Sequence, residues 1–152
     1  ERIRLKMTML GLVHCDETGS RVDGKTCWVH VASDQDYTYL TINQKRGQIG
    51  MDAADVLPHV RGIIVHDCWG SYWKYQDVTH AICCAHLLRE LNGVIENHPE
   101  QTWAVRFKKL LLDMKKVRDK ALLSEKDEVS YYHRHKFDLE YDEIIKTAYE
   151  EN

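Results

Sequence analysis

Proline is nearly absent, with two residues in 152, and phenylalanine is equally scarce. A chain so poor in proline, with 43% hydrophobic and 30% charged residues, is neither a disordered tract nor a collagen-like fibre. Long hydrophobic runs are missing as well. Ala81 to Ala85, bounded by His80 and His86, is among the longest, and a membrane-spanning helix needs about 20 such residues. No basic-then-apolar leader opens the chain, so a soluble, cytoplasmic protein is expected. Disulfide signals are weak: Cys15, Cys27, Cys68, Cys83 and Cys84 form an odd set with two adjacent members, unlike the even, spaced set of a secreted framework. Reduced thiols are expected. A strong excess of one charge is also lacking, since the formal net charge is −3, and this excludes a histone-like basic binder. At roughly 150 residues per domain the length suits one compact unit.

The charge that is present is segregated. Arg106 to Lys120 holds seven basic residues against Asp113 and Asp119, and Glu125 to Glu151 holds nine acidic residues against Lys126, Arg134, Lys136 and Lys146. Two helices that pair with each other explain this, as does one face aimed at a polyanion.

The first half of the chain reads as strands. Met9 to Asp16 is an apolar run ending at a Glu-Thr-Gly turn, Lys25 to Ser33 alternates, and Tyr37 to Ile42 is β-branched and aromatic. In the second of these, Trp28, His30 and Ala32 share one face and Cys27, Val29 and Val31 the other. Short gaps make the three an antiparallel meander. Gly47 to Leu57 has helical spacing and stops before Pro58. Arg61 to Asp67 and His80 to Cys84 are short apolar runs, as parallel strands buried on both faces should be, and a helix between strands is the ordinary crossover.

Helices follow. Ala85 to Glu96 presents Leu87, Leu88, Leu91, Val94 and Ile95, and Trp103 to Leu122 carries a long stripe through Phe107, Leu110, Leu111, Met114 and Val117. Ser124 with Asp127 suggests a new helix start, with Val129, Tyr132, Tyr141, Ile144, Ile145 and Ala148 inward. The chain stops in charged helix at Asn152, as a piece of something longer would.

Asp16 follows the first apolar run and Asp67 the fourth. If those strands are neighbours in a mixed sheet, both carboxylates emerge at one edge. Paired oxygen ligands suit Mg²⁺ or Mn²⁺, which can activate a water and steady a phosphodiester's leaving oxygen. Each aspartate could equally cap a turn.

Five ordered segments add to this: His14-Cys-Asp-Glu-Thr-Gly19, His30-Val-Ala-Ser33, Lys45-Arg-Gly47, His66-Asp-Cys-Trp-Gly-Ser-Tyr72 and Cys83-Cys-Ala-His-Leu-Leu-Arg-Glu-Leu91. In content and spacing, from about Met9 to Leu112, they resemble the catalytic domain of the insertion sequence 66 family of bacterial transposases. The resemblance implies an α/β, ribonuclease-H-like mixed sheet: three antiparallel strands, then parallel strands with a crossover helix, followed by an α-helical insertion. Residues 1–101 would be the N-terminal part of the catalytic core, and 102–152 a helical hairpin opening the insertion. It implies a DDE transposase that cleaves DNA and transfers strands, with transposon ends and target DNA as partners and self-association in a transposition complex. Asp16 and Asp67 match the first two family acids and metal ligands. Cys83 and His86 match a Cys-x-x-His string that supports the site. The third acid, a glutamate beyond the insertion, has no match, so the chain reads as an inactive fragment.

Other residues have plainer readings. Glu17, projecting opposite to Asp16, reads as surface, and His66 reads as a structural histidine. Trp69, Tyr72 and Trp73 either stack on bases or cover the sheet. Lys45 and Arg46 are candidate phosphate contacts. The alternative to an enzyme is a zinc-containing or helical DNA-binding or assembly module. It would use the Arg106 to Lys120 helix and ligands drawn from Cys83, His86, His14, Cys15, Cys27, His30, His80 and Cys84, although no second pair has zinc-finger spacing.

Overall fold

The computed structural model describes residues 1–152, which form two compact units, Glu1–Cys83 and Cys84–Asn152. The first begins with helix α1 (Arg2–Met9), which the sequence pattern did not announce. Its only buried residue is Met7, and Arg4 fastens it to Asp55 by an ion pair of 2.6 Å.

Strands β1 (Leu12–Val22), β2 (Lys25–Ser33) and β3 (Thr38–Asn43) form the expected antiparallel meander. β1 is longer than its apolar run. Instead of turning at Glu17, it pairs with β2 as far as Val22. The hairpin turn falls at Asp23 and Gly24, whose φ values of 49° and 76° suit a two-residue loop between twisted strands. Asp16 therefore lies within the strand.

Helix α2 (Gln48–Ala53) and a 3-10 turn at Leu57–His59 lead into β4 (Ile63–His66), and β5 (Thr79–Ile82) follows. The sheet order is β3-β2-β1-β4-β5, with β4 parallel to both β1 and β5. This is the mixed, ribonuclease-H-like arrangement. Where β1 and β4 meet, the Ile63 N–H donates to the Gly11 carbonyl at 2.8 Å, and a side chain on Gly62 would strike the Gly11 backbone.

One face of this sheet carries the core. Val13, Cys15, Ala32 and Ile64 are buried there with Met7, Met51, Val56, Leu57, Val60, Tyr72 and Tyr75. The alternate residues of β1 and β3, including Leu12, His14, Asp16, Leu40 and Ile42, lie on the opposite, exposed face.

The second unit consists of α3 (Cys84–Asn97), α4 (Thr102–Leu123) and α5 (Tyr131–Glu151). Leu110, Phe137 and Ile144 form its core, flanked by Trp103, Phe107 and Val117. The Glu151 carboxylate accepts from Thr102 Oγ1 at 2.5 Å and from the Trp103 N–H at 3.2 Å. A negative charge thus meets unsatisfied donors at a helix N-terminus. α5 starts after Ser130, not Ser124, whose hydroxyl instead donates back to the Lys120 carbonyl at 2.9 Å. Tyr132, Tyr141, Met114 and Leu122 are exposed, contrary to the periodic reading, and Phe137 takes the inward place. The basic run is neutralised mostly within α4, by Lys109 and Lys116 on Asp113 and by Lys115 and Arg118 on Asp119. Only Arg106 reaches α5, at Glu143 and Thr147.

Candidate active site

The β1–β4 ladder pairs Leu12 with Ile63, Val13 with Ile64 and His14 with Val65. Continued two residues further, past the end of β4 at His66, the same offset would bring Asp16 opposite Asp67. Asp16 lies on the face of β1 opposite the core, and Asp67 is the residue that follows β4. On the flanks, Asp16 pairs with Val31 of β2, and the Cys83 N–H extends the β4–β5 ladder by donating to the His66 carbonyl at 2.7 Å.

Each carboxylate is oriented by one backbone donor. Asp16 Oδ1 accepts from the Glu17 N–H at 2.8 Å, and Asp67 Oδ1 accepts from the Trp69 N–H at 2.9 Å. No basic side chain pairs with either. Asp16 is exposed and Asp67 half-buried. The result is two hard anionic oxygen donors, directed by the backbone and without counter-charge.

Behind them lies a polar layer that sequence reasoning missed. Glu17 is not a surface residue: its side chain is 1% exposed. Strand alternation places it with Val13 and Cys15 on the core face once β1 runs past the supposed turn. It accepts from the Tyr72 hydroxyl at 2.6 Å and from Arg46 Nε at 3.0 Å. Burial, and then this carboxylate, push the Tyr72 phenol far above its ordinary range, so it stays a donor. The Arg46 guanidinium lies 3.9 Å from the Trp69 ring centre and 4.8 Å from that of Trp28. Arg46 is thus held by the fold, whereas its neighbour Lys45 is exposed.

His66 is fully buried and structural, as expected. It stacks on Tyr72 at 4.5 Å, meets His80 Nδ1 at 2.8 Å and contacts the Asp67 carbonyl. Tyr72 is buried, and Trp69 and Trp73 are partly exposed. Cys83 is the residue between β5 and α3, and His86 lies in the first turn of α3. No group of three or more His, Cys, Asp or Glu side chains is gathered where it could hold a metal.

A three-stranded antiparallel meander extended by two parallel strands is a ribonuclease-H-like α/β arrangement. The chain belongs to the Transposase IS66 family, whose pattern it matches over residues 1–152. No curated protein matches it. Among solved structures it is similar to the HTLV-2 integrase catalytic core domain in complex with magnesium. The dimeric form is 14% identical over 59% of this chain and 74% of that one, with a TM-score of 0.41. The trimeric form is 13% identical over 58% and 73%, with a TM-score of 0.40. The simian T-cell lymphotropic virus intasome with the PP2A regulatory subunit B56 gamma is 13% identical over 58% and 42%, with a TM-score of 0.39. No helix of this chain is long and apolar enough to cross a membrane.

Proposed function

We propose that Asp16 and Asp67 are the first two carboxylates of a transposase active centre that cleaves DNA and transfers its strands. The observation that supports this reading is the parallel β1–β4 pairing, from Leu12–Ile63 to His14–Val65, with Asp16 two residues beyond it on β1 and Asp67 the residue after β4. The donor set fits Mg²⁺ or Mn²⁺, since such ions take one or two carboxylates and keep several waters. The lack of any basic partner leaves the pair's charge for a cation. When bound, such an ion supplies Lewis-acid activation of an attacking hydroxyl and neutralises the leaving oxygen. The chain's own part is to hold the two carboxylates, one on β1 and one just past β4, and to hold DNA beside them.

Lys45, exposed on the turn before α2, is a phosphate contact in this reading; Arg46 is committed to Glu17. The partners are transposon ends and target DNA, handled by several copies together. No residue of this chain matches the family's third acid, and the chain by itself is assigned no cleavage. Asp16→Asn or Asp67→Asn in the whole transposase should abolish donor-end cleavage while the protein remains folded. Cleavage near the wild-type rate in either variant contradicts the assignment.

A further inference from the structure

Glu17 is the one carboxylate that the first unit buries, and metal binding by Asp16 and Asp67 does not use it. Burying a charge costs several kcal/mol unless it is paired and hydrogen-bonded. The adjacent inward positions on β1 are filled by Val13 and Cys15, so the site accepts apolar residues. A carboxylate here needs a reason.

Two routes of contact run from Glu17 to Asp67. In one, Glu17 Oε1 holds Arg46 at 3.0 Å, the guanidinium lies 3.9 Å from the Trp69 ring centre, and the Trp69 N–H orients Asp67 Oδ1 at 2.9 Å. In the other, Glu17 Oε2 holds the Tyr72 hydroxyl at 2.6 Å, and Tyr72 stacks on His66, the residue before Asp67. β4 ends at His66, the next 3-10 turn begins at Tyr72, and Cys68, Trp69 and Gly70 are exposed. Both routes begin one residue from Asp16.

We propose that Glu17 is a positioning residue which, through Arg46 and Tyr72, fixes the segment after β4 to β1 and so sets Asp67 relative to Asp16. The role rests on the two-acid reading above. Its charge matters because Arg46 is its ion-pair partner, and the planar guanidinium matters because it stacks on Trp69. Outer partners that orient metal ligands typically change metal affinity by about 10–100-fold when removed.

The test compares Glu17→Gln, Arg46→Lys and Tyr72→Phe with wild type. Two quantities are read: amide hydrogen exchange without metal, and Mn²⁺ affinity from water-proton relaxation. In Glu17→Gln, exchange across residues 67–74 should quicken about tenfold or more while the β2–β3 ladder is unchanged, and Mn²⁺ affinity should fall about tenfold or more. Arg46→Lys, which keeps the charge but loses the stack, should not restore either. Tyr72→Phe breaks one link and keeps the ring, so it should show a smaller effect of the same kind even if Glu17→Gln fails to fold. Unchanged exchange over 67–74, or looser exchange with unchanged Mn²⁺ affinity, overturns the positioning role. A wild-type protein that binds no Mn²⁺ at Asp16 and Asp67 overturns the two-acid reading itself, and with it the purpose given to Glu17.

Discussion

The Tyr72 hydroxyl donates to Glu17 Oε2 at 2.6 Å on the core side of the sheet whose other face carries Asp16. This bond joins residues 55 apart in sequence and ties the strand of the first acid to the segment that follows the second. The two faces of β1 thus differ: odd-numbered residues from Val13 to Glu17 are buried, and even-numbered ones from Leu12 to Asp16 are exposed.

Asp16 contributes little to folding on this account. It is exposed and has no ion-pair partner, so Asp16→Asn should change stability by no more than about 0.5 kcal/mol. Urea unfolding checks this, and a loss of several kcal/mol would show that the carboxylate is structural.

Gly50 is required by crowding in α2. A Cβ there would strike the Lys45 carbonyl and the His30 ring, which meet at 3.1 Å. Alanine is the better helix former by about 1 kcal/mol, yet Gly50→Ala should destabilise by about 1–3 kcal/mol through overpacking. It should also shift the turn that carries Arg46. A variant as stable as wild type, with Trp fluorescence unchanged, would contradict this.

Burial, with Glu17 and Asp16 nearby, pushes the Cys15 thiol from 9.0 up to about 12. Above pH 9 the unfolded chain releases this proton and the folded chain keeps it. Its stabilising contribution is therefore complete below that pH and is lost as pH rises towards 12. Tyr72, raised from its ordinary 10.0, adds a loss of the same sign beginning higher. Between pH 8 and 10, Cys15→Ala should remove about 1 kcal/mol of the pH-dependent loss seen in wild type. Equal slopes would contradict the burial argument.

In the helical unit, Ile144 is fully buried and Leu139 is 56% exposed. Ile144→Ala should cost about 2–5 kcal/mol, whereas Leu139→Ala should stay within about 0.5 kcal/mol. Thermal melts followed by helical circular dichroism separate the two. Equal effects would mean that the α4–α5 packing is misassigned.

Much of the sheet was legible because period-two alternation and short apolar runs report burial directly. Asp67 at the end of β4 followed from that pattern. What stayed hidden depended on partners distant in sequence. α1 has no apolar stripe and is held by Met7 and by Arg4 on Asp55. Glu17 looked like surface because it projects opposite to Asp16, whereas that opposite face of β1 is the core face, where Val13 and Cys15 are buried. The contacts of Arg46 with Trp28 and Trp69 were hidden because neither indole is its sequence neighbour. The Ser124 signal misled for a local reason, since a serine can bond backward to a carbonyl as readily as forward to an N–H.

The most direct test of the central claim is a titration of the ¹⁵N-labelled protein with substoichiometric Mn²⁺, mapping which amide signals broaden. Loss of signal is expected around Asp16 and Asp67, reaching Val31 beside Asp16 on β2 and Cys83 after β5, and abolished by either Asp→Asn change. Broadening confined to the acidic residues of α5, or broadening that persists around β1 and β4 in Asp16→Asn, would contradict it.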